Sequence, residues 1–282
     1  MSVRLPSSFL ILVFFGAASA PASAQRLTYR PVDKEEVVAS PRLAYRPVDG
    51  DSVPAGSAGS AGAPAERAKL LQWALLDRFE YAAQRGSDGY AWDFSALLGG
   101  SRNRLWLGTS GDGGTWGDPD YAELNAFYSR HVGGNWDLNA GLRWDAVPHP
   151  DRFYATLGAQ HDASYESGDS FWFGAFGYVS HEGELSARLA AYYNWKLVGP
   201  LFLQPSAEVD AWAQDVPELG VGRGLGYAEA GLRLRYELLA GKIAPYAGLS
   251  WSRDLGRTAR FTREAGDDLE AKSLVLGVRS AF

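Results

Sequence analysis

The chain has 282 residues, 46% of them hydrophobic, yet its mean hydropathy is only −0.20. It contains no Cys, and Met1 is its one methionine, which excludes a disulfide scaffold, a thiolate metal site and a cysteine nucleophile. The balance of 27 Lys+Arg against 33 Asp+Glu (net −6) argues against a nucleic-acid partner, and 33 Gly beside 10 Trp, 14 Tyr and 13 Phe is a heavy load for a chain of soluble-looking hydropathy.

Residues 1–24 read as a secretory signal. Arg4 supplies the positive start, Phe9 to Ala18 a short apolar run, and Ala22-Ser23-Ala24 a small-residue cleavage site before Gln25. The apolar run is too short to span a bilayer as a helix. Residues 25–69 change character. RLTYRPVD (26–33) recurs as RLAYRPVD (42–49), and SVPAGSAGSAGAPA (52–65) is a Pro/Ala/Gly/Ser linker. Such a composition buries too little apolar surface to offset chain entropy, so a disordered periplasmic tail is expected there. Each repeat unit could alternatively serve as a short recognition motif.

From residue 70 onward the signal is alternation, the mark of strands with two unlike faces. In 135–146, Asn135, Asp137, Asn139, Gly141, Arg143 and Asp145 alternate with Trp136, Leu138, Ala140, Leu142, Trp144 and Ala146. Segments 184–197 and 227–238 repeat the pattern. Soluble strands usually run to about 5–6 residues, whereas tilted membrane-spanning strands need roughly 9–11. Only a closed barrel lets alternating strands cross a bilayer with every backbone group paired. The spacing predicts an all-β, antiparallel, up-and-down transmembrane barrel of about twelve strands, over 70–83, 89–100, 103–111, 121–132, 135–147, 152–163, 170–181, 184–197, 200–214, 225–239, 244–255 and 271–282. Long polar connections are expected at 112–120, 215–224 and 256–270. Short ones fall at Gly133-Gly134, Gly199 and Gly241, which places both barrel termini in the periplasm. The chain ends on Phe282 with Leu274, Leu276 and Val278 on the same face, a pattern suited to barrel-assembly machinery. A soluble sandwich or lipocalin-like barrel is the rival fold.

With apolar residues on the lipid, the inward set becomes Arg78, Glu80, Asp93, Arg104, Glu123, Arg143, Asp145, Arg152, Arg188, Glu208, Asp210, Glu229, Arg233, Arg235, Glu237 and Arg279. Pairing across the lumen is the simplest role for this mixture of signs. The acidic cluster Glu208, Asp210 and Glu229 could attract cations; the i, i+2 spacing puts two carboxylates on one face, with Arg233 and Arg235 near enough to neutralise them. Four histidines are further candidate metal ligands: His149 and His181 toward the extracellular end, His131 and His161 toward the periplasm. No pair has a metal-ligand spacing such as H-x-H. Outer-membrane acyl hydrolases of barrel type pair a His with a Ser on neighbouring strands, whereas His161 with Ser164, or His181 with Ser180, is only adjacency. The chain lacks G-x-S-x-G, and VGRGLG (221–226) has no strand–helix context for phosphate. An enzyme is not the expected reading.

Several segments resemble the copper resistance protein B family of outer-membrane proteins. They are LLDRFEY (75–81), GGSRNRLWL (99–107), AELNAFYSRHVGGNWDLNAGLRWD (122–145), LQPSAEVDAWAQD (203–215), GVGRGLGYAEAGLRLRYEL (220–238), APYAGLSWSRDLGRTARF (244–261) and GVRSAF (277–282). The resemblance covers about residues 70–282. It implies an exported barrel that handles excess copper ions at the outer membrane, in contact with its lipid and commonly alongside a periplasmic multicopper oxidase. Many members carry a Met- and His-rich N-terminal segment, but residues 25–69 here contain no Met, His or Cys. Thioether ligands suit Cu(I), so any copper site in this chain would draw on His and carboxylate, from His131, His149, His161, His181, Glu208 and Asp210, and favour Cu(II). Two other functions fit a barrel: a general outer-membrane channel without copper specificity, and an outer-membrane lipid hydrolase.

Overall fold

The computed structural model describes residues 71–84, 88–115 and 117–282. The expected signal (1–24) and tail (25–69) lie outside the described residues. The strands are β1 (Leu71–Gln84), β2 (Gly89–Gly99), β3 (Asn103–Gly114), β4 (Pro119–Gly133), β5 (Trp136–Val147), β6 (Arg152–Ser164), β7 (Ser170–Ser180), β8 (Leu185–Val198), β9 (Leu201–Trp212), β10 (Gly224–Tyr236), β11 (Ile243–Asp254) and β12 (Glu270–Ala281). Each pairs antiparallel with its sequence neighbour, and β1 pairs with β12, so the sheet closes into a twelve-strand barrel. At the seam, Phe282 N–H donates to the Ala74 carbonyl (2.9 Å) and Ala74 N–H to the Phe282 carbonyl (3.2 Å).

The alternation in sequence becomes an alternation of surroundings. On the outside, Leu138, Leu142, Leu157, Leu189, Leu249, Leu274 and Leu276 are exposed with no protein cover. A soluble monomer rarely shows contiguous apolar surface beyond a few hundred Å², and this belt circles the barrel. On the inside, all but Arg104 and Glu237 of the sixteen charged residues expected there are buried.

Three features depart from the sequence-based expectation. First, β3 and β4 run on to Gly114 and from Pro119, so the connection expected at 112–120 is a tight one. The long connections are 213–223 and 255–269, and both leave the end opposite the 74/282 seam. The second of them holds a helix, α1 (Thr258–Ala265), and the first a 3₁₀ turn, Pro217–Leu219. In outer-membrane barrels the end with long connections is extracellular, which sets the short turns and the seam on the periplasmic side. There Lys196 N–H donates to the Asp169 carboxylate (2.8 Å) in the β6–β7 turn and holds that carboxyl below its ordinary range.

Second, the interior is not uniformly polar. Trp73, Leu75, Leu97, Trp106, Phe127, Trp172, Ala190 and Tyr192 form one buried apolar cluster inside the barrel, with Trp73, Leu97, Trp106 and Trp172 near the periplasmic ends of their strands. Large rings fit a narrow lumen because glycines leave room for them. A Cβ on Gly108 would meet the Trp106 ring at 2.3 Å, and one on Gly174 the Trp172 ring at 2.6 Å. Trp106 stacks on Phe127 (centroids 5.0 Å apart) and Trp172 on Tyr192 (5.4 Å).

Third, the register of β1 shifts between Leu76 and Phe79. A bulge inserts one residue and re-aims its neighbours. Asp77 joins Arg78 on the lumen side, where its carboxylate accepts from Arg279 Nε (2.9 Å).

The two-faced sheet makes a direct prediction. Leu157 sits at the middle of β6 and is 70% exposed. Leu157→Arg should cost about 2–4 kcal/mol, the penalty for a cation at the bilayer midplane. Urea-driven unfolding from lipid vesicles measures it, and a cost near zero would mean that this face is wet.

Candidate functional site

The interior charges assemble into clusters that no single strand could form. Glu123 on β4 is wholly buried. Its carboxylate accepts from Tyr121 Oη, from Asn125 Nδ2 (3.0 Å) and from Ser110 Oγ (3.2 Å). It also faces Arg143 on β5 (3.1 Å) and Arg188 on β8 (3.5 Å). Arg143 makes a two-pronged pair with Asp145 (Nε 2.5 Å, Nη2 2.8 Å) and lies 4.8 Å from the centre of the Tyr178 ring and 5.3 Å from that of Tyr154. Arg188 turns to β9, donating through Nε to Asp210 (3.0 Å) and lying 3.4 Å from Glu208. The result is a continuous cluster: Asp145, Arg143, Glu123, Arg188, then Asp210 and Glu208.

A second cluster joins β10, β1 and β11. Arg233 forks onto Glu80 (3.0 and 3.1 Å), which also accepts from Tyr246 Oη (3.1 Å). Arg78 faces Glu229 (3.8 Å), and Glu229 accepts from Tyr227 Oη (2.9 Å). A third lies at the periplasmic mouth, where Asp137 meets Arg104, His131 Nδ1 (3.0 Å) and Gln160 Nε2 (3.5 Å). Burying an ion costs several kcal/mol unless a partner and further hydrogen bonds compensate it, so mixed signs are what a narrow lumen demands.

Two cavities lie within the barrel, and Arg188 lines the first of them. One of about 80 Å³ lies toward the extracellular loops, lined by Arg143, Asp145, Arg152, Arg188, Asp210, Leu219 and Val221 among others. The other, of about 50 Å³, is lined by Trp172, Tyr192, Gln204, Glu208, Glu229 and Arg233 among others. Asp210 and Glu208, two residues apart on one face of β9, thus line different cavities while sharing Arg188.

The extracellular mouth is covered. Leu219 and Val221 of the 213–223 loop reach the upper cavity. Glu218 accepts from Arg152 (2.9 Å), which is also bound to Glu184 (3.1 Å). Asp215 pairs with Arg257 and accepts from Arg223 N–H (2.8 Å), and Gly222 N–H donates to Thr258 Oγ1 (2.9 Å). The glycines at 220–226 therefore have a packing role. Gly220 takes φ 66° to close the 3₁₀ turn, and a Cβ on Gly222 would meet Arg257 Cβ at 2.4 Å.

The four histidines are not brought together. His131, at the periplasmic mouth, has Nδ1 on Asp137, the arrangement that fixes a ring with Nε2 outward. His161 lies edge-on to Trp136 (4.9 Å) on the outer face. His149 is exposed in the β5–β6 connection. His181 Nδ1 accepts from Phe153 N–H (3.3 Å), and Nε2 lies 3.4 Å from Glu182. Among the described residues no group of three or more His, Cys, Asp or Glu is placed to hold a metal ion. Ser180 Oγ donates to Glu184 (2.7 Å) rather than to His181, as a hydrolase pair would require. Among the candidate residues, the structure brings together only Glu208 and Asp210, through Arg188. Sequence reasoning missed Asp77 in the lumen. The consecutive charges Asp77-Arg78 between apolar neighbours were the available sign of a bulge.

A closed barrel with an apolar exterior, a charged interior and one covered mouth is the build of an outer-membrane barrel protein. The family model described as Copper resistance protein B precursor (CopB) matches residues 70–282. The chain is 35% identical over 208 residues to a Copper resistance protein B homolog of Pseudomonas syringae pv. tomato, covering 74% of this chain and 69% of that one. It is also 35% identical over 208 residues to Copper resistance protein B of Escherichia coli, covering 74% and 68%. Among solved structures, a NanC porin aligns with 72% of this chain and 98% of its own, at 13% identity and a TM-score of 0.47. The chain belongs to the copper resistance protein B family, and its place is the outer membrane.

Arg143→Met removes the cation that Glu123 and Asp145 share and should destabilise the barrel by about 3–5 kcal/mol, as breaking a buried pair does. The heat-modified gel shift should then occur at a lower temperature, and an unchanged midpoint would mean that the lumen is solvated. At the cover, Arg257→Ala removes an exposed pair worth at most about 1 kcal/mol. Cleavage of the 213–223 loop by protease added to intact cells should rise by no more than about fivefold. Gly222→Leu cannot fit against α1 and should raise cleavage further; equal resistance in both variants would contradict the described packing.

Proposed function

We propose that this barrel binds copper ions and passes them across the outer membrane, with Asp210 and Glu208 as successive carboxylate stations. The observation that carries this reading is the shared Arg188. It holds both carboxylates, one lining each cavity, so a cation that displaces Arg188 from Asp210 has Glu208 as its next partner. Membership of a copper resistance family supplies the cargo. Oxygen ligands with no thioether or thiolate point to Cu(II). His131, held by Asp137 with Nε2 outward, is a further ligand in this reading, at the periplasmic mouth, with His149, His161 and His181 at the two rims. The protein acts by binding and passage, not catalysis. Residues 1–24 are its export signal, residues 25–69 a periplasmic tether, and a periplasmic multicopper oxidase is a partner on that side.

A general cation channel is the second reading, favoured by the absence of Met and Cys from the chain after residue 24. The test is complementation of a deletion strain under copper stress. The wild-type gene should restore growth and cell-associated copper, and Glu208→Gln with Asp210→Asn should not, although the double variant shows the normal gel shift. Full rescue by the double variant would contradict the proposed stations. Equal conductance for copper and other divalent ions across a planar bilayer, with no copper retained by purified protein, would favour the general channel.

A further inference from the structure

On the outer face, β10, β11, β12 and the end of β1 line an open groove of about 750 Å³. Ala83 and Ala230 are small enough to leave it open, and Leu232, Leu249, Leu274 and Trp251 wall it. The strand register sets the order of its rows. Leu249 pairs with Leu274, Trp251 with Lys272, and Arg253 with Glu270, each step closer to the extracellular end. Lys272 lines the groove and is 74% exposed at its side chain, and Arg253 is 46% exposed. Glu270 sits between them, 2.5 Å from Lys272 and 3.5 Å from Arg253, and accepts from Trp251 Nε1 (2.9 Å). Within this cluster two cations face one carboxylate, and Asp88 and Asp268 stand at the same end of the barrel, on the connections after β1 and before β12.

We propose that this groove binds one molecule of the phosphorylated glycolipid (lipid A) of the outer leaflet, with an acyl chain along Leu232, Leu249 and Leu274 and a phosphate at Lys272 and Arg253. The chemistry on the two sides of the site matches one amphiphile. The groove offers apolar walls and no open hydrogen-bonding edge, because β10, β11 and β12 are fully paired. Its upper end offers an indole held in place by Glu270 and two exposed cations, Lys272 and Arg253, at the level where headgroups meet water. An amphipathic ring at that level suits the membrane interface, and each cation near an anionic surface strengthens binding. A second barrel laid against the groove would leave Lys272 and Arg253 facing its apolar belt, so a lipid anion satisfies the charges better than another copy does.

The test loads detergent-purified full-length barrel with lipid A, with its dephosphorylated form, or with phosphatidylglycerol, and counts retained lipid by native mass spectrometry. One lipid A should stay on the wild-type protein while dephosphorylated lipid and phosphatidylglycerol are lost. Lys272→Gln and Arg253→Gln should each weaken retention about fivefold. Ala230→Trp fills the groove without touching the cations and should also release the lipid. The heat-modified gel shift confirms that each variant is folded. Equal retention of dephosphorylated lipid or of phosphatidylglycerol, or unchanged retention in the variants, would overturn the proposal. None of these readouts depends on copper.

Discussion

Within a bilayer a free sheet edge has no water to bond, and each unpaired backbone group costs several kcal/mol. The pairing of β1 with β12 is therefore the constraint on which the rest depends. Once the sheet is closed, every strand has one face on lipid and one on a lumen, and side-chain parity is fixed. The composition follows from that division. The apolar half of each strand lies on the outside and the charged half inside, so an average over both looks like a soluble protein. The glycines and aromatics belong to the same geometry: a narrow interior can hold Trp106 and Trp172 only where Gly108 and Gly174 give up their side-chain volume.

Closure also forces the lumen to balance its charges. Arg143, Arg188 and Arg233 are each buried, and each meets carboxylates on neighbouring or facing strands. The balance has a functional corollary. Carboxylates already held by arginines bind a passing cation only in competition with them, which sets the interior against indiscriminate leakage. The aromatic cluster toward the periplasm narrows the same path, and the 213–223 loop covers the other mouth. In the proposed function, this is an interior for controlled passage rather than for open diffusion.

Fold class, strand number and the inward set were legible in the sequence because they depend on period two alone. The strand limits near Gly114 and Pro119 were less so, since glycine and proline read as turn signals even where the ladder continues through them. The partners of the charges were not legible. Arg233 and Glu80 lie 153 residues apart, and only closure brings them to 3.0 Å. The bulge at Asp77 switches the inward positions of β1 from odd (Trp73, Leu75) to even (Arg78, Glu80), and α1 is short enough to pass for a polar loop. Of the candidate metal ligands, the histidines stand at opposite ends or on the outer face, where sequence spacing carries no information about distance. Glu208 and Asp210 kept their relation because i and i+2 on a strand always share a face. Family membership was legible from ordered segments such as 203–261, which encode both faces of adjacent strands at once.

Parity along each strand separates lipid from lumen. Because the chain has no native cysteine, spin labels can be placed one at a time from Ser206→Cys to Ala211→Cys along β9, in barrels reconstituted into vesicles. Power-saturation measurements with oxygen and with a water-soluble nickel chelate then report the surroundings of each label. The account predicts oxygen contact at positions 207, 209 and 211 and its loss at 206, 208 and 210. A uniform response along the strand, or the opposite phase, would contradict it.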